Sequence, residues 1–267
     1  MTDDRDRWPR QAFGMTAGDR AWLPTLAAEL EALGYDELWC NDVRGKSGLQ
    51  ALASAAAGTP TLRLAVGALA LSGTTPQRLA DAVVNAGIAA DRLTVGVGSG
   101  SSRSLALMEA GIAELRGLIP GYAIGLAAVG PKMARLGGRV ADVVLLNWTG
   151  SRLAAERRGE IVGEAGALGR AAPRVAAYVR VTIGGGQRLT AEQARYHGYG
   201  GTYRSVIEDQ EARGEAPVGI AVDQADLVLS ALDPYRSALD TVVVRALPRE
   251  DSLEGWLEVA RAARLQP

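Results

Sequence analysis

The sequence predicts an α/β protein built as a closed (β/α)8 barrel, the TIM-barrel architecture. Strand-like apolar runs and helical patterns alternate eight times along the chain. The length of 267 residues suits a single barrel of roughly 250 residues. Since nothing interrupts the alternation at mid-chain, closure is favoured over the alternative of an open, doubly wound sheet. Residues 1–267 are therefore expected to form one barrel domain.

The eight predicted strands are short apolar runs. Several are continuously apolar, as expected for strands covered on both faces. They fall at about residues 11–15, 37–40, 62–71, 92–100, 122–130, 142–148, 174–185 and 241–248.

The helical patterns between these strands carry the residues that begin and end helices. Ser47 is a candidate N-cap, Pro76 suits a first helical position, and Pro120-Gly121 ends the fourth helix. Residues from about 187 to 235 depart from the alternation, although helical patterns continue as far as Arg213. We expect an irregular segment there, acting as a lid or a packing insertion.

Composition points to small-molecule chemistry. The formal charge is −1, so the chain has no basic field for nucleic acid or an anionic membrane. No apolar run approaches the roughly 20 residues of a membrane-spanning helix. The single Cys40 cannot form an internal disulfide, and the first residues lack a signal-peptide pattern, so a cytoplasmic location is expected.

Glycine-rich turns and polar residues follow several predicted strands, where a barrel carries its functional groups. Gly98-Ser99-Gly100 and Gly130-Pro131 run directly into helices, while Asp42 and Asn147 end other strands. Such turns leave backbone N–H groups and the positive end of a helix dipole exposed, which together bind phosphate. The alternative is that Gly-Pro only marks a strand-to-helix turn.

Several segments, in their order along the chain, resemble the bacterial luciferase-like family of flavin- or deazaflavin (F420)-dependent oxidoreductases. The resemblance runs from about residue 18 to 148 and includes the C-terminal stretch. It is carried by YDELWCND, LAVGALALSGTTPQRLADA, DRLTVGVGSGS, GPKMARLGGRVADVVLLNW and VVVRALPREDSLEGWLEVAR. The GPKM…GGRVADVVLLNW string is the most distinctive part.

The resemblance implies a tricyclic cofactor ring at the barrel mouth, resting on a bulged third strand that often holds a cis non-proline peptide. On this sequence the bulge falls at Val66, Gly67 and Ala68. The implied phosphate contacts are Gly98, Ser99, Gly100, Val129, Gly130 and Pro131.

Three further residues have two interpretations each. Asp42 matches a position where the family commonly has an acidic residue facing the cofactor, and we take it as a candidate catalytic residue; alternatively it caps the next helix. Asn147 can contact the ring edge or the phosphate. Trp148 either stacks on the ring or packs as a plug of the barrel mouth.

The sequence also departs from the family. Val43 and Arg44 follow Asp42, where luciferases and related monooxygenases often have a catalytic histidine, and the single histidine, His197, lies far away. The loop after the third strand is short, so we expect a shallow mouth, or one covered by a second subunit in a homodimer. One His and one Cys cannot supply a usual metal site.

The leading hypothesis is an oxidoreductase that transfers a hydride between F420, or alternatively FMN, and a small organic substrate. Its alternatives are a non-catalytic flavin-binding protein and a flavin-dependent monooxygenase. An isomerase or aldolase would need a base such as Lys132, which lies at a helix start. F420 is preferred for the GC-rich type of composition and the missing histidine. Its acidic tail would need a basic groove, for which the candidates are Arg44, Lys46 and Arg135.

Overall fold

The strands of the computed structural model run parallel within one sheet. The structure describes residues 11–43, 45–102, 104–216 and 218–264. In those ranges the strands are β1 (Gln11–Thr16), β2 (Glu37–Asn41), β3 (Arg63–Ala70), β4 (Leu93–Gly98), β5 (Ala123–Ala128), β6 (Val143–Leu146), β7 (Arg174–Ile183), β8 (Ile220–Val222) and β9 (Thr241–Ala246). The barrel strands pair in the order β1 to β7 and then β9, and β9 pairs back to β1, which closes the ring. The short β8 lies outside this ring and pairs in parallel with the last residues of β7. The predicted closed eight-stranded barrel is confirmed, and the open sheet is wrong.

Helices connect the strands around the outside of the barrel. They are α1 (Leu23–Ala32), α2 (Gly48–Ala56), α3 (Pro76–Asn85), α4 (Leu105–Leu118), α5 (Pro131–Val140), α6 (Ser151–Ala167), α7 (Gln187–Gly198), α8 (Gly201–Ala212), α9 (Val228–Ala238) and α10 (Leu253–Ala263). Ser47 caps α2 by accepting the N–H of Gln50, and Pro76 is the first residue of α3, as predicted. Over the described residues, no helix combines the length and apolar character needed to span a membrane.

The segment from 187 to 235 is more regular than expected. It forms α7, α8, β8 and α9 in succession, so the helical patterns noted as far as Arg213 correspond to two real helices. Gly200 and Gly201 both have positive φ, which ends α7 and turns the chain into α8. The polar composition reflects helices with one solvent-facing side rather than an absence of secondary structure.

Two hydrophobic cores follow from the period-two alternation of the strands. In β2, Leu38 and Cys40 point outward into the core between strands and helices, whereas Trp39 points into the barrel. The Trp39 and Tyr178 rings meet edge to face inside the barrel, with centroids 6.1 Å apart. The interior cluster consists of Ala12, Trp39, Ala65, Val143, Leu145, Ala176, Tyr178 and Val243.

A buried ion pair closes the barrel interior at its amino-terminal end. Glu37 and Arg174, the first residues of β2 and β7, form two hydrogen bonds of 2.8 and 2.9 Å. The indole N–H of Trp39 also donates to Glu37, at 2.5 Å. The ion pair lies at the amino-terminal end of the barrel, and the Trp39 and Tyr178 rings fill its middle.

β3 has the predicted bulge. Its register against β4 shifts between Val66 and Leu69, and the Gly67–Ala68 peptide is cis. Gly96 of β4 lies directly beside it, where a β-carbon would come 2.3 Å from the carbonyl oxygen of Val66. The bulge and the absence of a side chain at Gly96 therefore fit together.

Gly96→Ala is expected to destabilise the protein by about 1–3 kcal/mol, because the methyl group would overlap backbone that cannot move freely. The control is Gly117→Ala on the exposed side of α4, where a β-carbon meets no atom within 4 Å. That change should instead stabilise by about 0.5–1 kcal/mol. Denaturant unfolding measures both, and equal effects would contradict the packing argument.

Candidate active site

A cavity of about 890 Å³ lies at the mouth of the barrel. This volume falls within the range of roughly 300–1,000 Å³ typical of cofactor and substrate sites. Its walls are the carboxyl ends of the strands and the turn between α7 and α8. The predicted site residues that line it are Asp42, Gly67, Ala68, Gly98, Ser99, Gly100, Val129, Gly130, Pro131 and Asn147.

Two predicted site residues, Val66 and Trp148, are not among those that line the cavity. Val66 belongs to the outer core, because strand alternation directs it away from the barrel interior when Gly67 faces inward. Trp148 is fully buried and packs with Ile207 and Val218 beneath α8, which agrees with the packing interpretation. Its backbone has a φ of 55°, which is uncommon for a residue other than glycine.

The first glycine-rich corner lies between β4 and α4. The prediction that it runs directly into the helix is wrong, because α4 begins only at Leu105 and has Ser104 as its side-chain cap. Ser101 donates its N–H to the hydroxyl of Ser72 at 2.9 Å, which ties this corner to the end of β3. Gly100 has a φ of +58°, and a β-carbon there would meet the Ser72 hydroxyl. The corner is thus built from small residues held in a defined turn.

The second corner joins β5 to α5. Gly130 is the N-cap of α5 and Pro131 is its first residue. Since glycine has no side chain with which to cap the helix, the first-turn N–H groups of Lys132 and Met133 are left for another acceptor. Both residues line the cavity, as do those of the first corner. Because β4 and β5 are neighbours, the two corners share one rim, where a helix N-terminus favours an anion.

Asp42 fits both of its interpretations. Its carboxylate lines the cavity, and one oxygen accepts the N–H of Gly48 at 2.8 Å, so it also caps α2. Burial raises the pKa of Asp42 above its ordinary value, and the hydrogen bond from Gly48 offsets part of that rise. The carboxyl group is therefore suited to hold a proton beside the cavity at a higher pH than an ordinary aspartate.

Two substitutions separate the roles of Asp42. Asp42→Asn keeps an oxygen for the Gly48 N–H but removes the charge, whereas Asp42→Ala removes both. The thermal midpoint should fall only in the alanine variant, by the equivalent of about 1 kcal/mol. Turnover or cofactor affinity should fall in both variants if the carboxyl group acts in the site. A loss confined to stability would leave only the capping role.

The pH dependence of folding gives a second readout for Asp42. Because its pKa is raised on folding, the folded protein loses stability as pH rises from the unfolded to the folded pKa. Asp42→Asn should remove this loss. Thermal midpoints measured from pH 3 upward, wild type against variant, check the sign.

Arg180 is a functional candidate that sequence reasoning missed. Its guanidinium group lines the cavity, donates to Glu192 at 3.1 Å and to the side-chain oxygen of Asn147 at 3.0 Å. It also lies 3.6 Å from the centroid of the Trp148 ring. The sequence signal that could have identified Arg180 is an arginine within an apolar predicted strand, and Arg245 carries the same signal.

The corner between α7 and α8 covers part of the mouth. Tyr196, Tyr199 and Tyr203 line the cavity, with neighbouring ring centroids 5.1–6.2 Å apart. Buried Gln210 of α8 fixes this cover by donating to the Trp148 carbonyl and accepting the Gly150 N–H. The short loop after β3 led us to expect a shallow mouth, but α7 and α8 of the same chain form a wall over part of it. A homodimer stays a prediction.

The remaining sequence candidates lie away from the cavity or outside the described residues. Arg135 forms an ion pair with Glu160 at 3.5 Å. The backbone of Lys46 pairs with that of Val43 in an isolated antiparallel β-bridge. Arg44 is outside the described residues. His197 lies at the surface with its ring nitrogen 3.1 Å from Glu208.

The Cys40 thiol adds no reactive group to the site. Burial raises the pKa of the Cys40 thiol to about 12, so it is not a thiolate. In the part of the chain that the structure describes, no group of three or more His, Cys, Asp or Glu residues could hold a metal ion.

Comparison with known proteins agrees with this geometry. Residues 8–108 match the family model described as luciferase-like monooxygenase. This stretch includes β1 to β4, the bulge in β3 and the first glycine-rich corner. None of the curated proteins compared with the chain matches it by sequence.

Solved structures share the fold over almost the whole chain. The coenzyme F420-dependent tetrahydromethanopterin reductase of Methanopyrus kandleri is 18% identical, with a TM-score of 0.69 over 95% of this chain and 98% of its own. An F420-dependent secondary alcohol dehydrogenase, solved with an F420-acetone adduct, is 10% identical, with a TM-score of 0.74 over 95% and 97%.

A third similar structure is the oxygenating constituent of 3,6-diketocamphane monooxygenase from the CAM plasmid of Pseudomonas putida, in complex with FMN. It is 14% identical, with a TM-score of 0.66 over 96% of this chain and 97% of its own. The resemblance found in the sequence is thus confirmed: residues 8–108 carry the pattern of luciferase-like monooxygenases, and the chain has the barrel fold shared by these F420- and FMN-dependent proteins.

Proposed function

We propose that the protein is an oxidoreductase that transfers a hydride between F420, or alternatively FMN, and a small organic substrate. The observation that carries this proposal is the convergence of three features on one cavity: the bulge in β3, the corner after β4 and the corner after β5. Each supplies small residues or backbone N–H groups, which suit a flat ring and a phosphate rather than a bulky or cationic ligand.

The residues present fit such a cofactor. Gly67, Ala68 and Ala70 of β3 line the cavity with small side chains or none, which leaves room for a flat ring. The first-turn N–H groups of α5 can bind a phosphate. When bound, the cofactor would supply hydride chemistry at a ring carbon. The tyrosine cover would limit access of water, and Asp42 would hold or release a proton beside the substrate.

F420 is the preferred cofactor on two grounds. Two of the three similar structures reported above are named as F420-dependent, and the position after Asp42 lacks the imidazole of monooxygenases. Lys132, which lines the cavity at the start of α5, offers a positive charge to an acidic tail. FMN remains the alternative because its phosphate, carried on a shorter tail, would bind at the same two corners.

Titration of the purified protein with F420 and with FMN tests the proposal. We expect saturable binding of one cofactor, followed by its reduction or oxidation with a member of a panel of small alcohols, ketones and enones. Binding without turnover would favour the non-catalytic alternative, and oxygen-dependent product formation would favour a monooxygenase. If neither cofactor binds, the proposal is wrong.

A further inference from the structure

Two arginines lie side by side at the barrel mouth on the strands that follow β6 in the ring. Arg180 of β7 and Arg245 of β9 occupy directly paired positions, and both line the cavity. Their exposed fractions are only 3% and 5%. Like charges directly opposite each other on neighbouring strands destabilise a sheet, and burial increases that cost.

The nearby protein charges do not balance the pair. Glu192 accepts a hydrogen bond from Arg180, and although burial acts to raise its pKa, Arg245 and Arg180 lower it overall, so Glu192 is a carboxylate. Arg245 donates to the carbonyl oxygen of Ala246 at 2.8 Å and to the hydroxyl of Thr16, both neutral acceptors. Over the described residues, no carboxylate lies within 4 Å of Arg245. Two guanidinium groups therefore share one carboxylate, which leaves one positive charge directed at the cavity.

We propose that Arg245, together with Arg180, binds an anionic group of the substrate, and that this group is a carboxylate. A guanidinium presents a planar set of donors that matches the two oxygens of a carboxylate, and two adjacent guanidinium groups strengthen the match. Binding a carboxylate there would neutralise the surplus charge that folding alone leaves in place.

The position in the ring separates this subsite from the one proposed for the cofactor phosphate. The phosphate corners follow β4 and β5, whereas the arginines belong to β7 and β9, and β9 lies four strands from β4 in the eight-membered ring. The cavity lies between the two positions. The assignment to the substrate rests on the proposed function, but the binding of an anion by Arg245 does not.

Calorimetric titration of the cofactor-free protein with benzoate and with benzamide tests the subsite, because the two probes share a shape and differ in charge. Wild type should bind benzoate at least tenfold more tightly than benzamide. Arg245→Gln should abolish this preference, and Arg245→Lys, which keeps the charge but not the planar fork, should keep part of it. Arg249→Gln, which removes an exposed arginine outside the residues lining the cavity, should bind as wild type does.

The outcomes distinguish the two proposals. Equal affinity for both probes in wild type, or a benzoate preference that survives Arg245→Gln, would overturn the subsite. Arg180 would then only link β7 to α7 through Glu192, and Arg245 would only bond Ala246 and Thr16. If Arg245→Gln also weakens FMN or F420 at least tenfold, the pair serves the cofactor and the substrate assignment is overturned. If wild type binds neither cofactor but prefers benzoate, the proposed function fails and the anion subsite stands. Circular dichroism of each variant confirms folding, and Arg245→Lys provides the test if Arg245→Gln does not fold.

Discussion

Gly130→Val is expected to weaken the binding of F420 or FMN by at least about tenfold, which corresponds to about 1.4 kcal/mol, while the protein stays folded. Gly130 has φ −100° and ψ 166°, which any residue can adopt. A β-carbon there meets Thr202 Cγ2, the end of an exposed side chain, at 2.8 Å. The valine would therefore occupy space between the first turn of α5 and the cover without straining the backbone. Fluorescence titration with each cofactor gives the affinity.

The matched control is Gly117→Val, which adds the same side chain to the exposed face of α4, where a β-carbon meets no atom within 4 Å. Its cofactor affinity should equal that of wild type. A β-branched residue in a helix has only a small effect on stability, so this variant should also stay folded. Unchanged affinity in Gly130→Val would remove the corner after β5 from the proposed site. Equal losses in both variants would indicate a general effect on folding.

Glu37→Gln should lower the free energy of unfolding by about 3 kcal/mol, since breaking a buried ion pair from one side typically costs about 3–5 kcal/mol. The side chains of Glu37 and Arg174 are only 1% and 3% exposed, and the substitution removes the carboxylate charge that faces the guanidinium. The indole N–H of Trp39 keeps an acceptor, which holds the expected loss at the lower end. Denaturant unfolding of wild type and variant measures it.

An exposed ion pair provides the comparison for Glu37. Glu254 and Arg261 are 2.5 Å apart, with side chains 75% and 48% exposed, so Glu254→Gln should cost less than about 1 kcal/mol. The double variant Glu37→Met with Arg174→Met should recover part of the loss, because apolar groups of similar volume can replace a buried pair. If Glu37→Gln costs no more than Glu254→Gln, the pair does not hold the base of the barrel together.

Local patterns were sufficient to predict the barrel and most of the candidate site. Continuous apolar runs predict buried parallel strands, and each of the eight runs became a barrel strand. Gly130 was identified because a glycine directly before a helix has a local consequence: backbone N–H groups without a side-chain cap. Gly98 lies farther from its helix, since α4 begins at Leu105 and is capped by Ser104. The family resemblance added the position of the bulge at Gly67, which periodicity alone could not indicate.

Other features depend on contacts between distant segments. A polar stretch such as 187–212 can form a surface helix or a loop, and only packing of α8 on Trp148 through Gln210 decides that it covers the mouth. Val66 was included because it adjoins Gly67, but alternation about the bulge turns it outward.

Local sequence patterns were enough to place the eight barrel strands and the uncapped glycine at the start of α5, because hydrophobic period and capping act over a few neighbouring residues. The pairing of Arg180 with Arg245, 65 residues apart in the chain, arises only when β7 and β9 meet in the folded barrel. Strand register and ring closure arise from the packing of the whole barrel, so charge balance at its mouth cannot be obtained from any one segment.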